Sequence, residues 1–468
     1  MTTQLAAPAP RSEPAAPSPP TKLAVPVVVG TRPEAIKLAP IILALRESRS
    51  FHPVIVSTGQ HHRMVAEIFE LAGIETDVEL WVGSGRAPLN ERVRAVLGRF
   101  DDFCREWFGA DGSSTASAPE VLSGHFPAGI LVHGDTSSAM AAALAAFHLR
   151  IPVLHVEAGL RAGGLNLTPF PEELNRRLIS KIACFHFAPT ATNQENLVRE
   201  NVPEHQIFVT GNSGIDALKW ASGLEAPFRD PAVAAAHDAD QRIVVVTAHR
   251  RENWDGGLAG VAAGVTRLAA SHPEVRFVVP LHPNPLVRQQ LGKPLAGLDN
   301  VLLTEPMGYA AFAHLLGRCH LVITDSGGIQ EEAPSLGKPV LVARDSTERT
   351  EGVEAGTLAL VGTNPDRIAD EADRLLDDPA AYERMAEAPN PYGDGNASGR
   401  VVAALEHLHH GGEPPRQFGS GYDRAAVLAA AGYSGGLDPS RVSANERGSE
   451  EDELGPEEDR AATELWPT

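Results

Sequence analysis

Short apolar runs alternate with longer amphipathic segments along most of this chain, and this alternation constrains the fold more than any other feature. The runs are rich in Val and Ile and apolar at odd and even positions alike, which is typical of strands covered on both faces of a sheet. They are VVV (27–29), VIVS (54–57), GILVHG (129–134), PVLHV (152–156), IFVTG (207–211), IVVVT (243–247), FVVPL (277–281), LVIT (321–324) and PVLVA (339–343). Predicted helices lie between most of them, for example at 33–47, 136–149 and 255–271.

Alternating strands and helices predict an α/β fold with parallel sheets. The pattern forms two series, 23–210 and 211–390, and therefore predicts two doubly wound parallel-sheet domains facing a cleft. Ligands of such folds bind at the carboxyl ends of the strands. Pro26 stands in the first strand without an N–H to donate, so regular pairing is expected to begin only at Val27.

The two ends of the 468-residue chain differ in composition from the rest. Residues 1–22 are mostly Ala, Pro and Ser, and residues 411–468 carry 12 acidic and 5 basic side chains, which is −7 of the total formal charge of −20. Segments of this kind bury too little apolar surface to offset the entropy lost on ordering. Both ends are therefore predicted to be disordered tails.

Composition also excludes several classes of protein. The acidic balance argues against nucleic acid as a partner. No apolar run approaches the roughly 20 residues of a membrane-spanning helix, and no signal peptide is recognisable, so we expect no membrane partner and a cytoplasmic location. The three cysteines, Cys104, Cys184 and Cys319, lie too far apart in sequence for a disulfide framework or a zinc site.

The segment that follows the first predicted strand has features of an anion-binding site. It reads GTRPEAIK at 30–37, in which a Gly permits a tight turn and Pro33 suits the first turn of a helix. The helix N-terminus, with Arg32 and Lys37, would attract a phosphate or a carboxylate. The segment lacks both the dinucleotide and the Walker pattern. An ordinary helix cap with surface Arg and Lys explains it about equally well.

A similar strand–turn–helix segment occurs in the second series, where TDSGGIQEE spans 324–332. Backbone amides at Ser326, Gly327 and Gly328 would grip a pyrophosphate closely, and Glu331 or Glu332 would hold a ribose. The alternative is a capping box with acidic residues in the first turn of a helix. Two adjacent glycines weaken a helix start by roughly 1 kcal/mol each, which favours the phosphate interpretation.

Acidic side chains and a histidine follow several strands. Asp135 and Glu157 come directly after apolar runs, and Glu172 precedes Arg176 by one helical turn. Carboxylates brought together at strand ends repel one another and make suitable proton donors and acceptors. Each one alone is better explained by a helix cap or a salt bridge to Arg176 or Arg161, and only their concentration at consecutive strand ends favours the catalytic interpretation. His249, at the end of a second-series strand beside two arginines, suits an anion and acid–base work.

Several long strings resemble one known family, the non-hydrolysing UDP-N-acetylglucosamine 2-epimerases. They are GTRPEAIKLAPI, VHGDT, HVEAGLRAG, PFPEELNR, TGNSGIDAL, HRREN and TDSGGIQEEAPSLGKPVLVARDSTERTEGVEAGT, and the resemblance covers about residues 23–410. It implies a glycosyltransferase-B-like fold, a cytoplasmic homodimer, and no nicotinamide cofactor or required metal. It also implies that a C-terminal helix at 391–410 packs back on the first domain.

The resemblance also implies roles for individual residues. Catalytic positions match Asp135, Glu157, Glu172 and His249. Substrate-binding positions match Arg32, Lys37 and Arg176, the diphosphate cradle Ser326, Gly327 and Gly328, the ribose ligand Glu332, the phosphate contact Arg349, and the uracil pocket Met307 and Phe312.

The implied reaction is the interconversion of UDP-GlcNAc and UDP-ManNAc for cell-surface polysaccharides, by elimination of UDP across C1–C2 and its re-addition. Some members of the family bind a second, regulatory UDP-GlcNAc near the segment that corresponds to Gln60–Arg63, where this chain departs from the usual pattern. The alternatives are a glycosyltransferase of the same architecture, a hydrolysing epimerase that releases free sugar, and a catalytically silent sensor of sugar nucleotides.

Overall fold

The computed structural model describes residues 22–83, 87–109, 128–162, 167 and 169–419. The predictions of disordered tails at 1–22 and 411–468 fall almost entirely outside these residues. Of the predicted C-terminal tail, residues 411–419 are described, and there the Phe418 N–H donates to the carbonyl of Val209 at 2.8 Å.

Two all-parallel sheets organise the described chain. The strands of the first sheet are β1 Leu23–Val29, β2 Phe51–Ser57, β3 Val78–Glu79, β4 Ile130–His133, β5 Val153–Val156, β6 Phe185–Ala188 and β7 Ile207–Val209. Those of the second are β8 Ile243–Thr247, β9 Arg276–Pro280, β10 Val301–Thr304, β11 Leu321–Thr324, β12 Val340–Val342 and β13 Leu358–Leu360. We call each sheet with its covering helices the first domain and the second domain.

Both sheets have the same strand order over six strands, and the first sheet has a seventh strand at its end. The first runs β3-β2-β1-β4-β5-β6-β7 and the second β10-β9-β8-β11-β12-β13. In each, the order reverses between two central strands, β1 and β4 or β8 and β11, and a crevice opens there at the carboxyl ends. The predicted α/β class with two doubly wound parallel-sheet domains is confirmed.

Helices cover both faces of the sheets. In the described ranges, the helices of five or more residues are Arg32–Glu47, His62–Leu71, Leu89–Phe108, Ser137–His148, Glu172–Ile182, Ala191–Arg199, Ser213–Ser222, Pro231–Asp238, Gly257–Ser271, Tyr309–Arg318, Gly327–Glu332, Thr350–Glu354, Pro365–Asp377, Pro379–Ala386 and Ala397–His410, with a π-helical turn at Arg288–Gly292. Among the described residues, no helix has the length and apolar character needed to cross a membrane.

The predicted late start of the first strand is wrong, because β1 begins at Leu23 and pairs with β2 along its whole length. Alternate backbone groups of β1 face opposite neighbours: the Leu23 N–H donates to Ser50 on the β2 side, whereas the Ala24 carbonyl accepts from Ala128 on the β4 side. Pro26 shares the parity of Ala24, so its missing N–H removes no hydrogen bond to β2.

The last helix is shorter than the predicted 391–410. It begins at Ala397, because the preceding residues include a Pro and two Gly and form turns. The Asp216 carboxylate accepts hydrogen bonds from the first backbone N–H groups of this helix, at 3.1 Å from Ala397 and 2.8 Å from Ser398. Its apolar side chains Val401, Ala404 and Leu405 belong to a hydrophobic core of the first domain.

Candidate active site

The turn after β1 is fixed from within by Glu34. One carboxylate oxygen accepts hydrogen bonds from the backbone of Gly30 at 2.9 Å and of Thr31 at 2.7 Å, and the other accepts one from the Thr136 hydroxyl at 2.6 Å. Glu34 is therefore saturated with donors, and burial raises its pKa against their effect. It joins the turn after β1 to the turn after β4, which bracket the crevice of the first domain.

A cavity of about 350 Å³ opens at this crevice, and we call it the acidic cavity. Its lining includes Lys37, Asp135, Glu157, Glu172, His133 and Gln60. Three of the four predicted catalytic residues thus share one cavity, because the carboxyl ends of parallel strands meet at one edge of a sheet.

Asp135 is held by side chains of the helix Glu172–Ile182. Arg176 forms an ion pair with its carboxylate, and Asn175 donates to its carbonyl at 2.9 Å. Burial raises the pKa of Asp135 to about 6; Arg176 and Lys37 oppose this shift, and Glu157 and Glu172 add to it. A carboxyl with that pKa can both accept and return a proton near neutral pH. Arg176, predicted to bind substrate, does not line the acidic cavity.

Glu157 forms an ion pair with Lys37, and its carboxylate also lies 3.7 Å from His133 Nε2. Burial favours the neutral carboxyl, but the attraction of Lys37 and His133 outweighs it and lowers the pKa of Glu157 to about 2. Glu157 has a left-handed backbone, φ 61°, which is uncommon for a residue with a side chain and costs about 1 kcal/mol or more. Such strain is typical of residues held in place for function.

A second cavity of about 320 Å³ adjoins the first, since Lys37 and Glu157 line both. On its second-domain side lies Arg349, which donates to Glu331 at 2.8 Å and to Glu348 at 3.1 Å. A Cβ at Gly327 would lie only 3.0 Å from the Arg349 guanidinium carbon, so a larger residue there would require the guanidinium to move away from the start of the helix Gly327–Glu332.

Glu332, the predicted ribose ligand, sits near the same junction of the domains. Burial raises its pKa to about 8, with Lys37 opposing the shift and Glu331 and Glu157 adding to it. Near pH 7 this carboxyl is mostly protonated, and it can then donate a hydrogen bond as well as accept one.

A third cavity, of about 650 Å³, lies between the two domains. Arg32 and Glu67 of the first domain face Met307 and Tyr309 of the second across it. Met307 and Arg32 thus lie where a nucleotide base could be placed. The other residue of the predicted uracil pocket, Phe312, is half-buried against the core of the second domain and does not line this cavity.

His249 stands apart from the acidic cavity. Its ring stacks on His282 with centroids 5.3 Å apart, and its Nδ1 lies 3.6 Å from a carboxylate oxygen of Asp325. Burial lowers the pKa of His249, partly offset by Asp325. Asp325 is fully buried, and its other oxygen accepts from the backbone of His249 and Arg250, each at 2.8 Å.

Sequence reasoning missed two acidic residues that hold the site together, Glu173 and Asp325. Asp325 follows a buried strand directly, the signal that identified Asp135 and Glu157, so it could have been found. Glu173 adjoins Glu172, and only the rotational phase of the helix decides which of the two faces the cavity. Within the described part of the chain, no three His, Cys, Asp or Glu side chains are grouped so that they could hold a metal ion.

Two parallel α/β sheets, with charged cavities at the carboxyl ends of their strands, define a glycosyltransferase-B-like protein. A sequence-family profile described as UDP-N-acetylglucosamine 2-epimerase matches residues 112–406. The UDP-N-acetylglucosamine 2-epimerase of Yersinia pestis is 44% identical over 385 residues, 81% of this chain and 97% of that protein. The protein of the same name from Escherichia coli K12 is 42% identical over 393 residues, 81% of this chain and 97% of that protein.

Solved structures agree with these relatives. The UDP-GlcNAc 2-epimerase of Neisseria meningitidis, crystallised with UDP-GlcNAc, superposes with a TM-score of 0.69 at 39% identity, covering 82% of this chain and 99% of that one. The co-structure of Staphylococcus aureus MnaA with UDP gives a TM-score of 0.72 at 36% identity, covering 85% of this chain and all of that one. The chain belongs to the UDP-N-acetylglucosamine 2-epimerase family.

Proposed function

We propose that this protein interconverts UDP-GlcNAc and UDP-ManNAc by the non-hydrolysing route, for the synthesis of cell-surface polysaccharide. The observation that carries the proposal is the acidic cavity, in which Asp135, Glu157 and Glu172 converge beside Lys37. Family membership supports the substrate class, and the set of carboxylates supports proton transfer at a sugar carbon.

The diphosphate of the substrate binds between Lys37 and Arg349, at the turn formed by Ser326, Gly327 and Gly328. Lys37 is paired with Glu157 and Arg349 with Glu331, so a bound diphosphate competes with these carboxylates for both cations. This places the sugar in the acidic cavity on the far side of Lys37.

The rest of the nucleotide extends towards the larger cavity between the domains. Glu332 binds the ribose, and Arg32 contacts the nucleotide. Met307 and Phe312 hold the uracil. Phe312 does not line the cavity in this arrangement of the chain, so its contact with the base requires a change of side-chain position.

The chemistry is an elimination followed by an addition. A carboxylate removes the proton from C2 while the C1–O bond breaks, and UDP leaves with that electron pair, so that a C1–C2 double bond remains. Return of a proton to the opposite face of C2, with re-addition of UDP at C1, completes the inversion. Lys37 and Arg349 stabilise the departing diphosphate.

We assign proton transfer at C2 to Asp135, whose pKa of about 6 suits that role. Glu157 and Glu172 serve the opposite face of the sugar or stabilise positive charge at C1. His249, on the second domain, steadies the departing UDP. Arg176 acts on the substrate only through its ion pair with Asp135.

The test is incubation with UDP-GlcNAc in D₂O, followed by NMR of the products. UDP-ManNAc carrying deuterium at C2 is the expected result. Release of free N-acetylmannosamine would identify a hydrolysing epimerase, and transfer that depends on an added acceptor would identify a glycosyltransferase. Recovery of unlabelled UDP-GlcNAc alone would contradict any epimerase activity.

We also propose a cytoplasmic homodimer. Adjoining helices of the first domain expose several large apolar side chains, namely Trp107, Phe147, Leu174 and Leu178, each at least 40% accessible. Exposed apolar clusters of this kind mark protein interfaces. The three cysteines are free thiols, as is usual in a reducing compartment. Light scattering should give twice the chain mass, and Leu178→Glu should give a monomer.

A further inference from the structure

The first turn of the helix Glu172–Ile182 serves two sides of the site. Glu172 and Asn175 line the acidic cavity, whereas Glu173 and Arg176 are buried and do not line it. Arg176 uses one terminal nitrogen for the ion pair with Asp135 and places the other 3.6 Å from Glu173. One guanidinium is therefore shared by two carboxylates.

Of the two carboxylates that share Arg176, that of Glu173 is the better anchored. Its side chain is fully buried, one oxygen accepts from Arg177 Nε at 2.8 Å, and the other accepts from the backbone N–H of Ala162 at 3.1 Å. These contacts fix Glu173, and Glu173 in turn fixes the orientation of Arg176. Glu173 does not line the acidic cavity.

We propose that Glu173 is a positioning residue, which holds Arg176 between two carboxylates and so sets the orientation and proton affinity of Asp135. This inference rests on the proposed function, in which Asp135 transfers the proton at C2. Glu173 acts without touching the substrate.

The charges around Arg176 form an alternating chain, which shows what the removal of one of them would do. From Glu173 the chain continues through Arg177 to Glu200, 3.7 Å away, and on to Arg161 at 2.7 Å. Three carboxylates, counting Asp135, thus balance three guanidiniums. A neutral side chain at position 173 leaves an excess of positive charge next to Asp135, which favours its ionised form.

Other groups facing Asp135 bear on the same equilibrium. They are Glu172 from the same helix as Arg176, Glu157 from the turn after β5, and Lys37 from the helix Arg32–Glu47. None of them contacts Glu173 within the described hydrogen bonds and ion pairs. A change at position 173 therefore reaches Asp135 through Arg176 and through the field of the lost charge.

The experiment compares pH profiles of kcat and kcat/KM for the wild type and Glu173→Gln, measured by C2 deuterium incorporation. In Glu173→Gln we expect the acidic limb of the pH–rate profile, which titrates near pH 6 in the wild type, to move down by about 1 pH unit. We also expect kcat to fall about tenfold and the KM for UDP-GlcNAc to stay within about twofold of the wild-type value. A purely structural role would lower activity equally at every pH and leave the limb in place, which would overturn the proposal.

Arg177→Gln is the matched variant, and it carries the test alone if Glu173→Gln fails to fold. Arg177 contacts Glu173 but not Asp135, and its side chain is one-third exposed. Its loss removes positive charge, so the limb should move the opposite way, upward by about 0.5 unit. An unmoved limb or a downward shift would refute the inference. Absence of deuterium incorporation by the wild type would instead refute the proposed function.

Discussion

Replacing Glu332 by Gln should make the stability of the protein much less sensitive to alkaline pH. Burial raises the pKa of this carboxyl from an ordinary value of 4.5 to about 8 in the folded chain, with like-charged neighbours Glu331 and Glu157 adding to the shift and Lys37 opposing it. Between these two values the unfolded chain has released the proton and the folded chain keeps it. Unfolding then releases a proton, so the free energy of unfolding falls as the pH rises.

The size of the effect follows from the width of the pH window. The buried histidines His133, His155 and His186, whose pKa values burial lowers, change the stability in the opposite direction up to about pH 7.5, but they do so equally in the wild type and in Glu332→Gln. From pH 6.5 to pH 8, about 1.5 units at about 1.4 kcal/mol per unit, Glu332 costs the folded state about 2 kcal/mol. Above pH 8 the carboxylate is ionised in both states and the loss levels off.

Calorimetry without added nucleotide, at pH 6.5 and pH 8.5, measures this loss. For a unit of 150–250 residues, about 2 kcal/mol corresponds to about 4–8 °C in Tm, so between these two pH values the Tm of the wild type should fall by about this much relative to that of Glu332→Gln. The exposed Glu383 of the helix Pro379–Ala386 provides the control, since the Tm of Glu383→Gln should change between the two pH values by the same amount as the Tm of the wild type. If Glu332→Gln and the wild type lose stability in parallel, the buried carboxyl is not the group that titrates and the reasoning is wrong.

Three further substitutions test the site. Asp135→Asn should slow epimerisation by about 10²-fold or more with UDP-GlcNAc still bound, and near-normal turnover would remove Asp135 from the mechanism. Gly327→Ala should raise the KM about tenfold without lowering Tm, because its Cβ would displace the Arg349 guanidinium 3.0 Å away; an unchanged KM would show that the guanidinium moves aside freely. Asp325→Ala should cost about 2–4 kcal/mol in denaturant unfolding, since it leaves the N–H groups that support His249 without an acceptor, and an unchanged midpoint would contradict this.

The central strands of both sheets were predictable because burial on both faces demands apolar residues at every position. The structure adds four strands that the sequence pattern did not reveal, namely β3, β6, β10 and β13. Three of these are edge strands of two to four residues with half-exposed positions, so their apolar pattern is short and weak. In β6, FHFA, a histidine interrupts the apolar run and is buried all the same.

The acidic cavity was predictable from topology. Asp135 and Glu157 follow neighbouring strands, β4 and β5, so a parallel sheet brings them together whatever the helices do. The position of His249 relative to this cavity was not predictable. His249 follows a strand of the second sheet, and the strand ends of the two sheets come together only through the relative placement of the two domains. No local sequence pattern encodes that placement.

Asp135 and Asp325 show where such reasoning reaches its limit. Each follows the strand at which the order of its sheet reverses, β4 in one domain and β11 in the other, so sequence and topology make them equivalent. Asp325 is nevertheless fully buried, with one oxygen bonded to the loop at His249, whereas the Asp135 side chain keeps about a quarter of its surface accessible and lines a cavity. What separates them is the set of partners: backbone N–H groups of one loop donate hydrogen bonds to Asp325 inside the fold, whereas a single guanidinium, which also lies near Glu173, pairs with the Asp135 carboxylate. Burial raises the pKa of Asp135 to about 6 although Arg176 opposes the shift, and this environment, set by neighbours distant in sequence, suits Asp135 to proton transfer.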